Sequence, residues 1–321
     1  MRALLFWGVL LLLLPVYFMG YIPLVLIGTP RVRKRGIAAT AVPPLSARWI
    51  LDYTGQRPDA AARKLLPHLP FVPKFTLQLC LLPLTCALRI SGHIPSIARY
   101  PVHTPQNFWE ALGQRNTFFD EAISNAEATV TQFVHLGAGF DTRSHRVSSS
   151  IKVFEVDRPA IQQTKREGLD RAGVPQERIH YVEVDFGDPG WWSTLENAGY
   201  DPSAPTFFLW EGVSYYLQEA DVERMLTGTA QRSPPGSQIA FDYARLDLIH
   251  GAGGPLMAFV RLGLKSTRES WTWGLDTTAP AIEPARELVE RCGLRLRHYS
   301  VYGLEGGRHP PPGGLVVAEV A

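Results

Sequence analysis

The chain opens on an unbroken apolar run and settles into alternation only later. Residues 3–28 (ALLFWGVLLLLLPVYFMGYIPLVLIG) hold no charged side chain, and a hydrocarbon core about 30 Å thick needs about 20 such residues as a helix. The run predicts an N-terminal transmembrane helix, kinked at Pro15 and Pro23. A cleaved signal peptide fits less well. The apolar core is longer than such segments use, Arg2 is the only positive lead-in, and no small-x-small cleavage site follows. The cluster Arg31, Arg33, Lys34 and Arg35 comes directly after the run, and the positive-inside rule places that end in the cytoplasm with the amino terminus outside. A second apolar stretch, residues 76–88 (TLQLCLLPLTCAL), is too short to cross and is flanked by Lys74 and Arg89. It reads either as a helix in the bilayer interface or as a core or lid helix.

From about Pro105 the texture changes. A helical pattern over 108–128 is followed by short β-rich runs at 131–136, 151–156, 180–184, 206–210 and 238–243, with helical stretches at 159–172 and 219–230 between them. Such alternation predicts a parallel sheet with helices on both faces. Two further runs, 294–301 and 315–320, separated by a Gly- and Pro-rich turn, predict a closing antiparallel hairpin. The chain thus reads as an anchor (1–30), a membrane-proximal connector with a helical lid (31–104), and an α/β domain (105–321).

Composition narrows the function. With 321 residues, 45% of them hydrophobic, the chain can bury a full core. Lys plus Arg number 32 against 30 Asp plus Glu, a net charge of +2, which is no electrostatic footprint for nucleic acid. The three cysteines, Cys80, Cys86 and Cys292, form no metal-ligand pattern and read as reduced thiols. Nothing in these totals fixes an oligomeric state.

In an open α/β sheet the ligand sits beyond the carboxyl ends of the strands. After the first strand comes LGAGFDTR, residues 136–143, in which Gly137, Ala138 and Gly139 let the backbone approach a ligand closely. The third glycine of a dinucleotide fingerprint never arrives, and Asp141 opposes a pyrophosphate. A nucleoside without phosphates meets no such objection, and S-adenosylmethionine is the common one. Asp157, 18 residues past Gly139, closes FEVD, where a carboxylate can accept bonds from both ribose hydroxyls. Asp185 and Phe186 end the third strand and could serve an adenine amino group and ring face, or Asp185 could simply cap a turn. Glu211 ends the fourth strand, near where a sulfonium and its amino-acid tail would lie. Arg115 could pair with the carboxylate of that tail, or be a solvated helix charge.

Taken in order, RNTFFD, LGAGFDTR, FEVDRPA, VDF and WEGVSYYL resemble the leucine carboxyl methyltransferase-like family, from about Arg115 to the carboxyl end and including WTWGL near Trp271. The resemblance implies the class I, Rossmann-like methyltransferase fold, a seven-stranded sheet ordered 3-2-1-4-5-7-6, and S-adenosyl-L-methionine as methyl donor. It assigns Arg115 to the donor carboxylate, Gly137 and Gly139 to its amino-acid portion, Asp157 to the ribose, Asp185 and Phe186 to the adenine, and Glu211 to the pocket wall. It implies that Asp141 and Arg143 brace the loop and that Tyr216 faces the acceptor as the catalytic candidate. His145 stands where the family often has an aromatic residue, and residues 1–105 match no known pattern.

The acceptor wall is expected between the fifth strand and the hairpin, with Leu256, Met257, Phe259, Trp271 and Trp273. These aromatics are either a pocket for an apolar substrate or ordinary core. The leading expectation is a single-pass membrane O-methyltransferase, its catalytic domain facing the cytoplasm, acting on a carboxylate or hydroxyl of a hydrophobic small molecule or lipid. A carboxylate acceptor needs no base; a hydroxyl would need one, with His145, His250 and Tyr216 as candidates. A protein carboxyl terminus is the alternative acceptor, with Arg245 as its anchor. A non-catalytic anchored nucleoside-binding scaffold and a dehydrogenase are the more distant alternatives.

Overall fold

Strands form where β-branched and aromatic residues alternate between two buried faces. In the computed structural model, which describes residues 1–37, 39–254, 270–278, 280–304 and 310–321, they build one sheet from β1 (Gln132–Leu136), β2 (Lys152–Asp157), β3 (Ile179–Glu183), β4 (Thr206–Trp210), β5 (Gln238–Arg245), β6 (Gly274–Leu275), β7 (Leu294–Tyr302) and β8 (Gly313–Val320). Its order is β3-β2-β1-β4-β5-β8-β7, with the two-residue β6 pairing beside β5 off this path. Apart from that extra strand, which raises the numbers of the last hairpin by one, this is the order the family resemblance implies. β1 to β5 run parallel, whereas β8 is antiparallel to both β5 and β7.

The chain divides into two compact units. The second comprises Pro101–Ala138, Arg143–Pro159 and Glu177–Ala321. Its sheet carries a core on each face. Val134, Phe154, Phe208, Phe241 and Val316 pack with Trp191 and Leu195 of α8 (Trp191–Asn197), Val222 and Leu226 of α9 (Glu219–Gln231), and Leu288 of α11 (Ile282–Arg291). Their chain neighbours Phe133, Val153, Phe207, Ala240 and Leu315 turn to the other face and meet Phe119 and Ile123 of α6 (Phe108–Ala126). Two-faced burial of this kind is what makes parallel strands read as near-continuous apolar runs. α6 starts where it does because Asn107 Oδ1 accepts the N–H groups of Trp109 at 3.0 Å and Glu110 at 3.1 Å. That cap fixes the helix that carries Arg115, Asn116 and Asp120.

The first unit comprises Met1–Tyr100 together with Gly139–Thr142 and Ala160–Gln176. Residues 31–75, expected as a connector, hold α3 (Val42–Tyr53) and α4 (Ala60–Leu65). Leu45 and Trp49 of α3 and Leu65 of α4 share a core with Val32, Phe71, Leu77, Phe140, Ile161 and Leu169, the last two from α7 (Pro159–Arg171).

One expectation is corrected. The single spanning helix over the N-terminal run does not form: the run breaks at Leu13 into α1 (Arg2–Leu12) and α2 (Leu14–Lys34), bent by 55°, and among the described residues no single helix is long and apolar enough to cross a membrane. The physical reason is Pro15, which sits in the first turn of α2 and lacks the N–H that would continue α1. Residues 76–88 lie within α5 (Lys74–Ser91), which buries Leu77, Pro83 and Ala87 and exposes Phe75, Leu82 and Ile90.

α1 and α2 run antiparallel to α5. The Phe6 and His93 rings are 5.3 Å apart, and a Cβ on Gly20 would lie 2.6 Å from the Thr76 carbonyl oxygen and 2.7 Å from the Cys80 nitrogen. Gly20 is thus the point of closest backbone approach. We expect Gly20→Val to cost about 1–3 kcal/mol as the helices are forced apart, lowering the midpoint of thermal unfolding. Gly8→Val, at a position with nothing within 4 Å, should leave it nearly unchanged, and equal midpoints for the two variants would contradict this packing.

Candidate active site

The carboxyl edge of the parallel strands gathers most of the residues singled out from the sequence. Gly137 follows β1 with φ of +66°, and a Cβ there would overlap Val213 Cγ2, so only glycine allows the turn to meet the loop after β4. Its N–H donates to the Val156 carbonyl at 2.7 Å, and Ala138 N–H reaches the same oxygen at 3.4 Å. Asp157, the last residue of β2, is 7% exposed, and its Oδ1 accepts the Arg158 N–H at 2.7 Å. The Val184 N–H donates to the Asp157 carbonyl at 3.0 Å, which brings the end of β3 alongside. Asp185 is exposed there and accepts the Gly187 N–H at 3.0 Å, the turn-capping role that its position allowed. Phe186 is half-buried and edge-on to Trp191, with centroids 5.5 Å apart. Gly139, with φ of +49°, begins the segment assigned to the first unit.

At the other end of this rim lies a buried ionic cluster. Arg143, 1% exposed, donates from Nε to Asp120 Oδ1 at 2.7 Å, from Nη2 to Asn116 Oδ1 at 3.3 Å, and from Nη1 to Glu211 Oε2. Glu211 also faces Arg115, its Oε1 lying 3.0 Å from Arg115 Nε, and Asp242 Oδ2 of β5 lies 3.3 Å from the same atom. Asp242, 2% exposed, accepts the Gly212 N–H at 2.7 Å. Burial pushes its carboxyl above the ordinary carboxylate range, against the opposing pull of Arg115. The Arg115 guanidinium is held well above its ordinary value by Asp242 and Glu211, although burial alone would lower it. Gly212 has φ of +77°, and a Cβ on it would sit 2.6 Å from Arg115 Nη2.

Sequence reasoning singled out neither Asn116 nor Asp120, though both fall in RNTFFD, and it missed three further residues. Asp242 lies inside a strand that reads as core, and Tyr302 at the end of β7. Tyr215 was passed over for its neighbour. The Tyr215 and Tyr302 phenols are pushed up by burial and pulled back by Arg115, so both face the cluster. Tyr216 instead packs on Tyr215, with centroids 4.8 Å apart. The repeated aromatic in SYY was the available signal, but it did not say which ring turns inward.

The loop residues before Arg143 are held within the first unit. Asp141 Oδ2 accepts from Arg48 Nη2 at 2.7 Å, its carbonyl accepts from Lys165 Nζ, and Thr142 Oγ1 donates to Asp59 Oδ1 at 2.8 Å. Arg48 and Asp59 lie in the stretch that matched no pattern, so Asp141 and Arg143 were legible as bracing residues but the partners of Asp141 and Thr142 were not.

The remaining candidates are placed as follows. Trp273 is core, buried near Tyr243, whereas Trp271 is half-buried and edge-on to Tyr215 at 5.3 Å. Leu256, Met257 and Phe259 lie outside the described residues. His145 is half-buried in the turn after Arg143, and His250 is exposed at the end of α10 (Leu246–Ile249). Arg245 is engaged by the Asp247 carboxylate and the Pro310 carbonyl.

The arrangement suits a cationic nucleoside with an amino-acid tail. Gly137 lets the loop after β1 close onto Val213, and Asp157 ends the neighbouring strand with a carboxylate acceptor. The buried Arg115 Nε–H, though close to two carboxylates, finds no hydrogen-bond acceptor in correct geometry.

Residues 95–230 match the model of the family described as leucine carboxyl methyltransferase. A proposed S-adenosyl-L-methionine-dependent methyltransferase of Parafrankia sp. (strain EAN1pec) is 31% identical over 260 residues, covering 78% of this chain and 77% of that protein. Another, from Mycobacteroides abscessus, is 31% identical over 226 residues, covering 64% and 74%. Among solved structures, a DUF574-family protein of Streptomyces avermitilis is 17% identical with a TM-score of 0.49, over 84% of this chain and 100% of that one. The mitomycin 7-O-methyltransferase MmcR is 19% identical with a TM-score of 0.42, over 66% and 57%. The identity to the Parafrankia protein, sustained over most of both chains, places this protein among the S-adenosylmethionine-dependent methyltransferases of the leucine carboxyl methyltransferase family.

Proposed function

We propose that the protein methylates an oxygen of a hydrophobic small molecule or lipid at the cytoplasmic face of a membrane. The observation that carries the reading is the continuous rim from Arg115 and Glu211 through Gly137 to Asp157 and Asp185, at the carboxyl ends of the strands. Arg115 would hold the donor carboxylate, with Glu211 beside it as the wall near the methionyl portion. Gly137, Ala138 and Gly139 would admit the backbone of the same portion, Asp157 would bind the ribose hydroxyls, and Asp185 and Phe186 would flank the adenine. When bound, S-adenosylmethionine supplies an electrophilic methyl group on a sulfonium. The chain's part is to align the acceptor oxygen behind that methyl and to exclude water. An acceptor carboxylate is ionised at neutral pH and needs no base. For a hydroxyl, Tyr216 and His145 are the groups nearest in sequence to the cluster.

The membrane part of the reading is supported by the first unit. Leu4, Leu12, Met19, Leu26 and Phe75 are all more than 60% exposed, and no charge interrupts residues 3–28. An apolar surface of this kind marks an interaction site, and an acceptor dissolved in the bilayer would be concentrated at it. Arg31, Arg33 and Lys34, in the last turn of α2, favour the cytoplasmic leaflet.

Three outcomes check the proposal. Calorimetry should show S-adenosylmethionine binding to the purified protein, and Asp157→Ala should weaken it by about 1–3 kcal/mol through lost ribose hydrogen bonds. Unaltered affinity in that variant removes Asp157 from the site. Arg143→Met should destabilise the fold by about 3 kcal/mol, because Asp120 is left with only the more distant Arg146 and Glu211 with only Arg115; a denaturant titration reads it. Incubation with donor labelled in the methyl group should place the label in a lipid extract, and label confined to protein would overturn the acceptor class.

A further inference from the structure

A cavity of about 420 Å3 opens in the first unit, where the end of α5 meets α3 and α4. Tyr53, Arg63, Arg89, Gly92 and His93 line it. Two guanidinium groups share one ring there: Arg63 lies 6.0 Å and Arg89 5.9 Å from the Tyr53 centroid. Both arginines are exposed, so each gains modestly from the ring's quadrupole and water softens the repulsion between them. The nearest compensating carboxylate, Asp52, stands 3.5 Å from Arg63 Nη1, and Arg89 makes no ion pair among the described residues. An anion seated between them would relieve the repulsion, and a guanidinium fork matches a phosphate.

The cavity lies at the rim of the exposed apolar surface. Ile90, next to Arg89, is 59% exposed. His93 touches Phe6 of α1, the helix that exposes Leu4, Leu5, Trp7, Leu11 and Leu12. A phosphate group whose own molecule carries acyl chains would satisfy both features together.

The packing of α5 also sets how that surface can meet a bilayer. Near one end of α5, Leu77 belongs to the same core as Leu45 and Trp49 of α3; near the other, Arg89 covers Tyr53, the last residue of α3. α3 belongs to the same compact unit as α5 and carries Arg48, buried against Asp141, as well as Asp52. Crossing with α5 would drag these charges into hydrocarbon, at several kcal/mol each by translocation scales.

We propose that α1, α2 and α5 lie in the plane of a single leaflet and that the Arg63–Arg89 cavity binds the phosphate of an anionic phospholipid. This rests on the membrane attachment proposed above and gives it a geometry and a lipid class. The test adds the detergent-depleted full-length protein to sealed preformed vesicles of phosphatidylcholine, alone or with a minority of phosphatidylglycerol, and measures co-flotation. Arg63→Gln/Arg89→Gln should bind the anionic vesicles about 30-fold more weakly than the native chain, two charges being worth about that factor at such a surface. Its binding to phosphatidylcholine and its affinity for S-adenosylmethionine should be unchanged, the latter showing that it is folded. Arg295→Gln/Arg297→Gln, an equal charge loss on β7, should bind as the native chain does. Equal binding by the native and cavity variants overturns the lipid site, as does release of the native protein by inorganic phosphate at matched ionic strength. A fluorophore at the amino terminus should be fully quenched by external dithionite, and a protected label overturns the in-plane geometry. Failure to bind either vesicle overturns the membrane reading as a whole, while donor affinity reports separately on methyl transfer.

Discussion

Glu211 meets two guanidinium groups, Arg115 and Arg143, at the carboxyl edge of the sheet, and the architecture of the site follows from keeping that encounter neutral and dry. A buried carboxylate between two arginines leaves further N–H groups to satisfy; Asp120 and Asn116 accept from Arg143, and Asp242 adds a countercharge beside Arg115. Those residues come from α6 and β5, so the cluster ties a helix, the loop after β1 and the ends of β4 and β5 to one another. Buried ion pairs of this kind add little net stability compared with apolar packing, but loss of one partner is expensive. Their contribution is therefore positional: they fix Arg115 at the carboxyl edge of the sheet.

Glycine appears at the two points where this positioning demands it. Gly137 lets the loop after β1 approach Val213, and Gly212 leaves room for the Arg115 guanidinium. Both adopt left-handed backbone angles, which any other side chain would strain. Close approach at one point carries through to the other, since Val213 follows Gly212 directly.

Much of this was legible in the sequence, for identifiable reasons. Parallel strands buried on both faces show as apolar runs, and the residue after each run falls at the ligand edge. Thus Gly137, Asp157, Asp185 and Glu211 could be picked out by place alone. What escaped was whatever depends on rotation or on distant partners. Tyr215 and Tyr216 are adjacent and chemically alike, and only the tight turn after Val213 decides which phenol faces Arg115. Asp242 sits in an apolar strand whose alternation hides one polar member. Arg48 and Asp59 pair with Asp141 and Thr142 across more than 80 residues of chain, beyond the reach of spacing arguments. The N-terminal run misled for a different reason, because hydropathy counts apolar side chains without seeing that Pro15 breaks the helix or that α5 lies against it.

The first unit is not a contiguous stretch of chain: it takes in Gly139–Thr142 and Ala160–Gln176 as well as the first hundred residues. A cut after Tyr100 would not separate two self-contained parts. It would leave Asp141 without Arg48 and Thr142 without Asp59, and expose the apolar side of α7 where Ile161 and Leu169 meet Leu65. In this fold residues 48–65 cannot be shed as a removable tail.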